Sequence, residues 1–340
     1  MSIPESDSRD NRPLLPDWLA ASLAALLRLR DKLPHALLLV GPDGVGKSAL
    51  ATRLAQALLC EAPQVDGDAC GQCPACGWFS QANHPDFRLL TPGGDDDEGK
   101  EKTSTEIKIG QVRALSEFVS IGAHRGGRKV VLVDPADALN VPAANALLKT
   151  LEEPPGATLF LLVTGKLDGL PATIRSRCVI QALTLPPAEQ ASDWLCRQLG
   201  IPSAEAQAWL AAAAGSPLRA AALADPGQAA AYRLIVATLA KLPDASVLAA
   251  AEALSQVAPR AWVPLLQGWV ADLARVRAGS HARRFPEQSA RLATLANLTG
   301  LEAIIEFSRW LATQSASVDH PLNPRLFCED TLLRYRSMFL

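Results

Sequence analysis

At 340 residues, 49% of them apolar and 20% charged, the chain is too long for one small core and too apolar for wholesale disorder, so two or three packed domains are expected. Its 33 Lys and Arg stand against 35 Asp and Glu, a formal charge of -2, which excludes a strong positive field over the whole molecule; any DNA contact is expected to be local or shared with partners. No apolar run reaches the roughly 18 residues of a membrane span, and MSIPESDSRD has neither the basic end nor the apolar run of a leader, so a cytoplasmic protein with no membrane contact is expected.

Apolar residues recur at helical spacing from Asp17 to Arg30, and Pro34 breaks the pattern. HALLLV, from His35, is a short continuous apolar run, the pattern of a strand buried on both faces of a parallel sheet. Glycines follow at once, then a helix from Ser48 to Cys60. DFRLL, KVVLVD and TLFLLVT are further buried strands, with a helical AANALLKTLEE between the last two. These elements predict an α/β first domain, residues 1–165. The stretch TPGGDDDEGKEKTSTE from Thr91 has no apolar period and reads as an exposed, solvated loop. After Gly165 strand signals fade to CVIQAL, and GSPLRAAAL around Gly215 marks the end of a small helical unit, 166–224. From 225 to 340 the sequence is Ala- and Leu-rich helix, with Leu266, Trp269, Val270, Leu273 and Val276 on one core-facing stripe.

The loop after the first strand reads Gly41, Pro42, Asp43, Gly44, Val45, Gly46, Lys47, Ser48, a full match to GxxxxGK[ST]. Glycines let backbone amides face a phosphate, Lys47 supplies a point charge, and Ser48 can ligate magnesium at a helix start. ATP or ADP with Mg2+ is the ligand this predicts; the bland alternative is an inherited loop that only turns the chain. Asp134, at the tip of KVVLVD, is placed to hold the magnesium. A working ATPase of this type needs a water-orienting residue next, but Pro135 follows, and proline neither takes a proton nor orients water. Losing such a base is worth roughly 100- to 10,000-fold in rate. Asp137 lies past the strand end and is given little weight as a substitute.

Of seven cysteines, an odd count, Cys60, Cys70, Cys73 and Cys76 fall close together in LCEAPQVDGDACGQCPACGWF. Four thiolates on a loop turned by glycines and a proline can close tetrahedrally on a structural Zn2+, in a module at about 60–80. An iron-sulfur cluster or a redox pair are the alternatives. Cys178, Cys196 and Cys328 read as small core residues, and the histidines, His35, His84, His124, His281 and His320, show no ligand spacing.

In order and spacing, HALLLVGPDGVGKS, the cysteine cluster after the first helix, HPDF at His84, AANALLKTLEEPP and IRSRC from Ile174 resemble the AAA+ subunits of the bacterial DNA polymerase III clamp loader. The resemblance implies an AAA+ α/β P-loop domain carrying a zinc module, a small helical lid (166–224) and an all-helical collar (225–340). It implies assembly with gamma/tau and delta subunits, action on the sliding clamp, and contact with primer-template DNA through the assembly. Pro135, the helical last third and the lack of a long tail favour a subunit other than the gamma/tau ATPase. In this family the arginine of the SRC motif reaches the neighbouring subunit's nucleotide, so Arg177 would be an arginine finger in trans. Thr164 and Arg219 resemble the two sensor positions that contact the chain's own γ-phosphate. Two other functions compete: an autonomous AAA+ ATPase, and a zinc-dependent DNA-binding module, which the near-neutral charge disfavours.

Overall fold

The computed structural model describes residues 11–93, 104–124, 127–315, 318 and 323–340. Most of the acidic loop expected after Thr91, residues 94–103, therefore lies outside the described residues. The chain divides into two units, one ending at Pro186 and the other beginning at Pro187.

The first unit is built on five parallel strands: β1 (Ala36–Val40), β2 (Phe87–Leu90), β3 (Lys129–Val133), β4 (Thr158–Thr164) and β5 (Val179–Ala182), in the order β2-β3-β4-β1-β5. Every residue of β3 and β4 is buried, the reason these segments read as unbroken apolar runs rather than as alternating ones. Side chains still alternate between faces. Leu37 and Leu39 of β1 join the layer of α1 (Ala20–Arg28) and α2 (Lys47–Leu59); Ala36 and Leu38 join that of α4 (Ile109–Ser120) and α5 (Val141–Glu152). Between α2 and β2 lies the cysteine loop with α3 (Pro74–Ser80), and α6 (Ala172–Arg175) leads into β5.

The strand CVIQAL carries the α/β unit past the expected boundary at 165. Its Leu37↔Val179 to Val40↔Ala182 register with β1 makes β5 an edge of the same sheet, so the unit runs on to Pro186. HPDF is a buried tie. The Asp86 carboxylate accepts the His124 amide at 2.9 Å and faces Lys129 Nζ at 3.9 Å, while that ammonium lies 3.9 Å from the Phe118 ring centroid. Burial lowers the Lys129 pKa, with Asp86 opposing the shift.

In the second unit, α7 (Ala188–Leu199), α8 (Ser203–Ala212) and α9 (Pro217–Leu223) pack on one another, and α9 also meets α10 (Pro226–Lys241). The remaining helices, α11 (Val247–Leu254), α12 (Pro259–Arg277), α13 (Ser289–Leu298), α14 (Leu301–Ser315) and α15 (Pro324–Ser337), share one core with the C-terminal half of α10. The expected α12 stripe faces that core: Leu266, Trp269, Val270 and Leu273 are buried, and Val276 packs against its margin. Two of the buried polar groups there are paired. Trp269 Nε1 donates to the Tyr335 hydroxyl at 2.8 Å, and Asp272 accepts the backbone amides of Arg283, Arg284 and Phe285 at 3.0, 2.7 and 2.9 Å. Among the described residues, no helix is long and apolar enough to cross a membrane.

Candidate nucleotide site and cysteine cluster

The phosphate loop leaves the C-terminal end of β1 and turns into α2, with Gly44 at φ 75° and Gly46 at φ 100°, values that favour glycine. Gly41 packs so closely on the Leu183 carbonyl that a Cβ would collide with it. Lys47 is buried and folded back over the loop: its Nζ donates to the Gly41 and Pro42 carbonyls at 2.8 and 2.9 Å and stands 3.6 Å from the exposed Asp43 carboxylate. From the other side, the Trp18 indole donates to the Val45 carbonyl at 2.8 Å, tying the helical segment before β1 to the loop.

The ends of three adjacent strands meet here. Asp134 follows β3 and shares a hydrogen bond with Ser48; burial raises its pKa above the ordinary carboxyl value, the Ser48 bond and Lys47 pull it down, and Asp137 pushes it up. Thr164 ends β4 directly beside Val40 of β1 and is fully buried. The structure thus brings together Gly41 to Ser48, Asp134 and Thr164. Such an arrangement offers inward amides, a helix start and an ammonium for phosphates, with Ser48 and Asp134 adjacent for a divalent cation. Pro135 occupies the position where a water-orienting carboxylate would stand. Asp137, given little weight from sequence, does reach the site: its carboxylate accepts the Thr164 hydroxyl at 2.7 Å. The spacing D-P-A-D was legible; that a 3-10 turn, Ala136–Ala138, would swing the second acid back onto β4 was not.

Arg177 lies elsewhere. It precedes β5, whose first residue pairs with Leu37, so it stands at the N-terminal edge of a parallel sheet whose C-terminal edge carries the phosphate loop. The strands between span on the order of 15 Å. There its guanidinium donates to the Thr173 carbonyl at 2.8 Å and pairs with Glu152, the last residue of α5. Arg219 belongs to α9 in the second unit, where its charge helps lower the Arg284 pKa, after burial as the main cause.

Cys60, Cys70, Cys73 and Cys76 do meet. Their sulfurs all lie within 4.8 Å of one another, with Cys60 at 3.6 Å from Cys70 and 3.8 Å from Cys73, and Cys70 at 4.0 Å from Cys76. Four ligands about 2.3 Å from a tetrahedral zinc stand about 3.8 Å apart, so the shell fits one such ion. A multi-iron cluster has to fit its bridging sulfides inside the thiolate shell, and this one has room for a single ion. Amides of Cys70, Cys73 and Cys76 donate to sulfur at 3.3, 3.2 and 3.4 Å, the outer bonds that orient thiolate ligands. Partial burial raises the Cys70 thiol, but the Gln72 and Cys73 amides bring it down to about 7; burial raises Cys60 and Cys76. The loop is clasped to α2 by Arg53, which pairs with Asp68 at 2.7 Å and donates to the Pro13 carbonyl at 3.1 Å. Of the other cysteines, Cys328 is in the core, while Cys178 and Cys196 are half-buried.

Fold and site together define a class: an AAA+ P-loop domain with a four-cysteine module in its α/β unit, followed by a helical region. Residues 21–188 match the family model described as DNA polymerase III, delta subunit. The DNA polymerase III subunit delta' of Pseudomonas aeruginosa is 44% identical over 239 residues, 70% of either chain. The delta' subunit of Escherichia coli is 41% identical over 56% of this chain and 54% of its own length. The chain belongs to the delta' family of DNA polymerase III subunits. Among solved structures, a gamma-subunit-related protein from Thermotoga maritima is similar at 18% identity and a TM-score of 0.45, over 94% of this chain and 99% of that one.

Proposed function

We propose that this chain is a clamp-loader subunit that completes a neighbour's ATPase site and itself holds nucleotide with little or no hydrolysis. In this reading it assembles with gamma/tau and delta subunits and helps place the sliding clamp on primed DNA. Arg177 stabilises charge on the phosphate transferred in the adjoining subunit, an effect worth about 1,000- to 100,000-fold in related systems. The observation that carries the reading is the position of Arg177, at the sheet edge opposite its own phosphate loop. An arginine there serves a site outside the chain or none. Gly41 to Ser48 and Asp134 would hold ATP or ADP with Mg2+, and the four cysteines would hold a structural Zn2+; a shell of four sulfurs leaves no position for water, so the ion orders the loop and does no chemistry.

Pro135 supports the second half of the proposal. The purified chain is expected to turn over ATP far more slowly than about 1 per second. Turnover at that rate or faster, lost in Lys47→Ala, would favour the autonomous ATPase. Primer-template binding by the chain alone, with the steep salt dependence of phosphate contacts, would favour a DNA-binding module.

A further inference from the structure

We propose that Asp137 makes this chain's nucleotide site blind to the γ-phosphate: it holds the Thr164 hydroxyl, so the site takes ATP and ADP alike. The inference rests on the reading of the phosphate loop as a nucleotide site and adds what that site does not distinguish.

A threonine hydroxyl has one proton to give and two lone pairs to receive with. The proton of Thr164 is already oversubscribed, with Asp137 Oδ1 at 2.7 Å and the Lys166 carbonyl at 3.0 Å. One lone pair takes the Lys166 amide at 3.0 Å. A terminal phosphate oxygen at neutral pH is an acceptor, so contact with Thr164 requires the proton that Asp137 holds. Taking it would leave a carboxylate without its donor beside a second anion. Thr164 is fully buried, so its hydroxyl chooses among the groups packed on it rather than water. Asp137 has little freedom to withdraw: the Leu167–Gly169 turn closes on it so tightly that a Cβ on Gly169 would come 3.1 Å from Asp137 Cβ. Asp137 is therefore a positioning residue acting through Thr164, and its effect is specific to the third phosphate.

The test is titration of the full chain with Mg-ADP and with Mg-AMPPNP. Wild-type affinities are expected within about threefold of each other. Asp137→Ala, which removes the acceptor, should tighten AMPPNP by at least about fivefold with ADP unchanged, short of the roughly tenfold or more that a hydrogen bond to a charged group provides; Asp137→Asn, whose amide oxygen still accepts the hydroxyl but carries no charge, should tighten it less. The gain should vanish in the double variant Asp137→Ala/Thr164→Val. A wild-type chain that prefers AMPPNP by tenfold or more, or variants that leave the ratio unchanged, would overturn the proposal. So would ATP turnover by the wild-type chain that Asp137→Asn abolishes, because the acid would then be orienting water. If Lys47→Ala shows that neither nucleotide binds through the phosphate loop, the underlying reading falls as well; Lys47-dependent binding with a strong triphosphate preference removes this proposal alone.

Discussion

With Zn2+ held by the cysteine cluster as proposed, its removal should loosen one corner of the α/β unit without unfolding the protein. Cys60, Ala69, Cys76 and Phe79 are buried in the same core as α2, but α3 has only seven residues, too few to hold helical form unaided. Without an ion the sulfurs at 3.6 to 4.0 Å must carry protons or repel, and the loop opens. In small zinc peptides the metal contributes roughly 10–16 kcal/mol of apparent binding energy. Ordering a loop of about a dozen residues costs roughly 1–2 kcal/mol each, a sum of the same size, so the two nearly cancel. The net loss is then close to the burial of Phe79 and its neighbours, at roughly 1.5–3 kcal/mol per large side chain. A total of about 3–6 kcal/mol corresponds to a fall of roughly 10–20 °C in the melting temperature of a unit of this size. Calorimetry before and after chelation, with metal analysis expected to find about one zinc per chain, measures this; Cys76→Ser should reproduce the chelated state. Hydrogen exchange should rise between Cys60 and Ser80 first. A metal-free protein with native protection there and a melting temperature within about 2 °C of the untreated sample would refute the reasoning.

Asp134→Asn should stabilise the ligand-free protein at pH 7.5 while weakening Mg-nucleotide binding. Burial raises the Asp134 pKa, so the folded state disfavours its charge; that cost is present above the raised pKa and is relieved as pH falls through it. The stabilisation by asparagine, followed by thermal melts, should accordingly shrink below neutrality as the native acid takes up its proton. Asp272→Ala should cost at least about 3 kcal/mol in the second unit, because three backbone amides lose their buried acceptor at roughly 1–3 kcal/mol each; denaturant titration reads this directly.

Much of the first unit was legible because its signals are local. Strands buried on both faces announce themselves as apolar runs, the phosphate loop has fixed spacing, and cysteines with two residues between them can converge only by turning. The α12 stripe followed from helical periodicity. What escaped depended on register and on turns. CVIQAL belongs to the α/β sheet because it pairs with β1 across more than a hundred residues of chain, which composition does not reveal. Reading outward from β3 places Asp137 past the strand, whereas the 3-10 turn returns it to the end of β4. Trp18 gave no signal at all; its bond to Val45 exists only once α1 is packed beside the loop.

The division of labour between this chain and its neighbour is tested most directly by reconstituting the clamp-loading assembly with Arg177→Ala and, separately, with Lys47→Ala. ATPase activity stimulated by the clamp and primed DNA should fall at least tenfold with Arg177→Ala, with assembly intact by size-exclusion chromatography, and change by less than about twofold with Lys47→Ala. Unchanged turnover with Arg177→Ala, or its collapse with Lys47→Ala alone, would contradict the account.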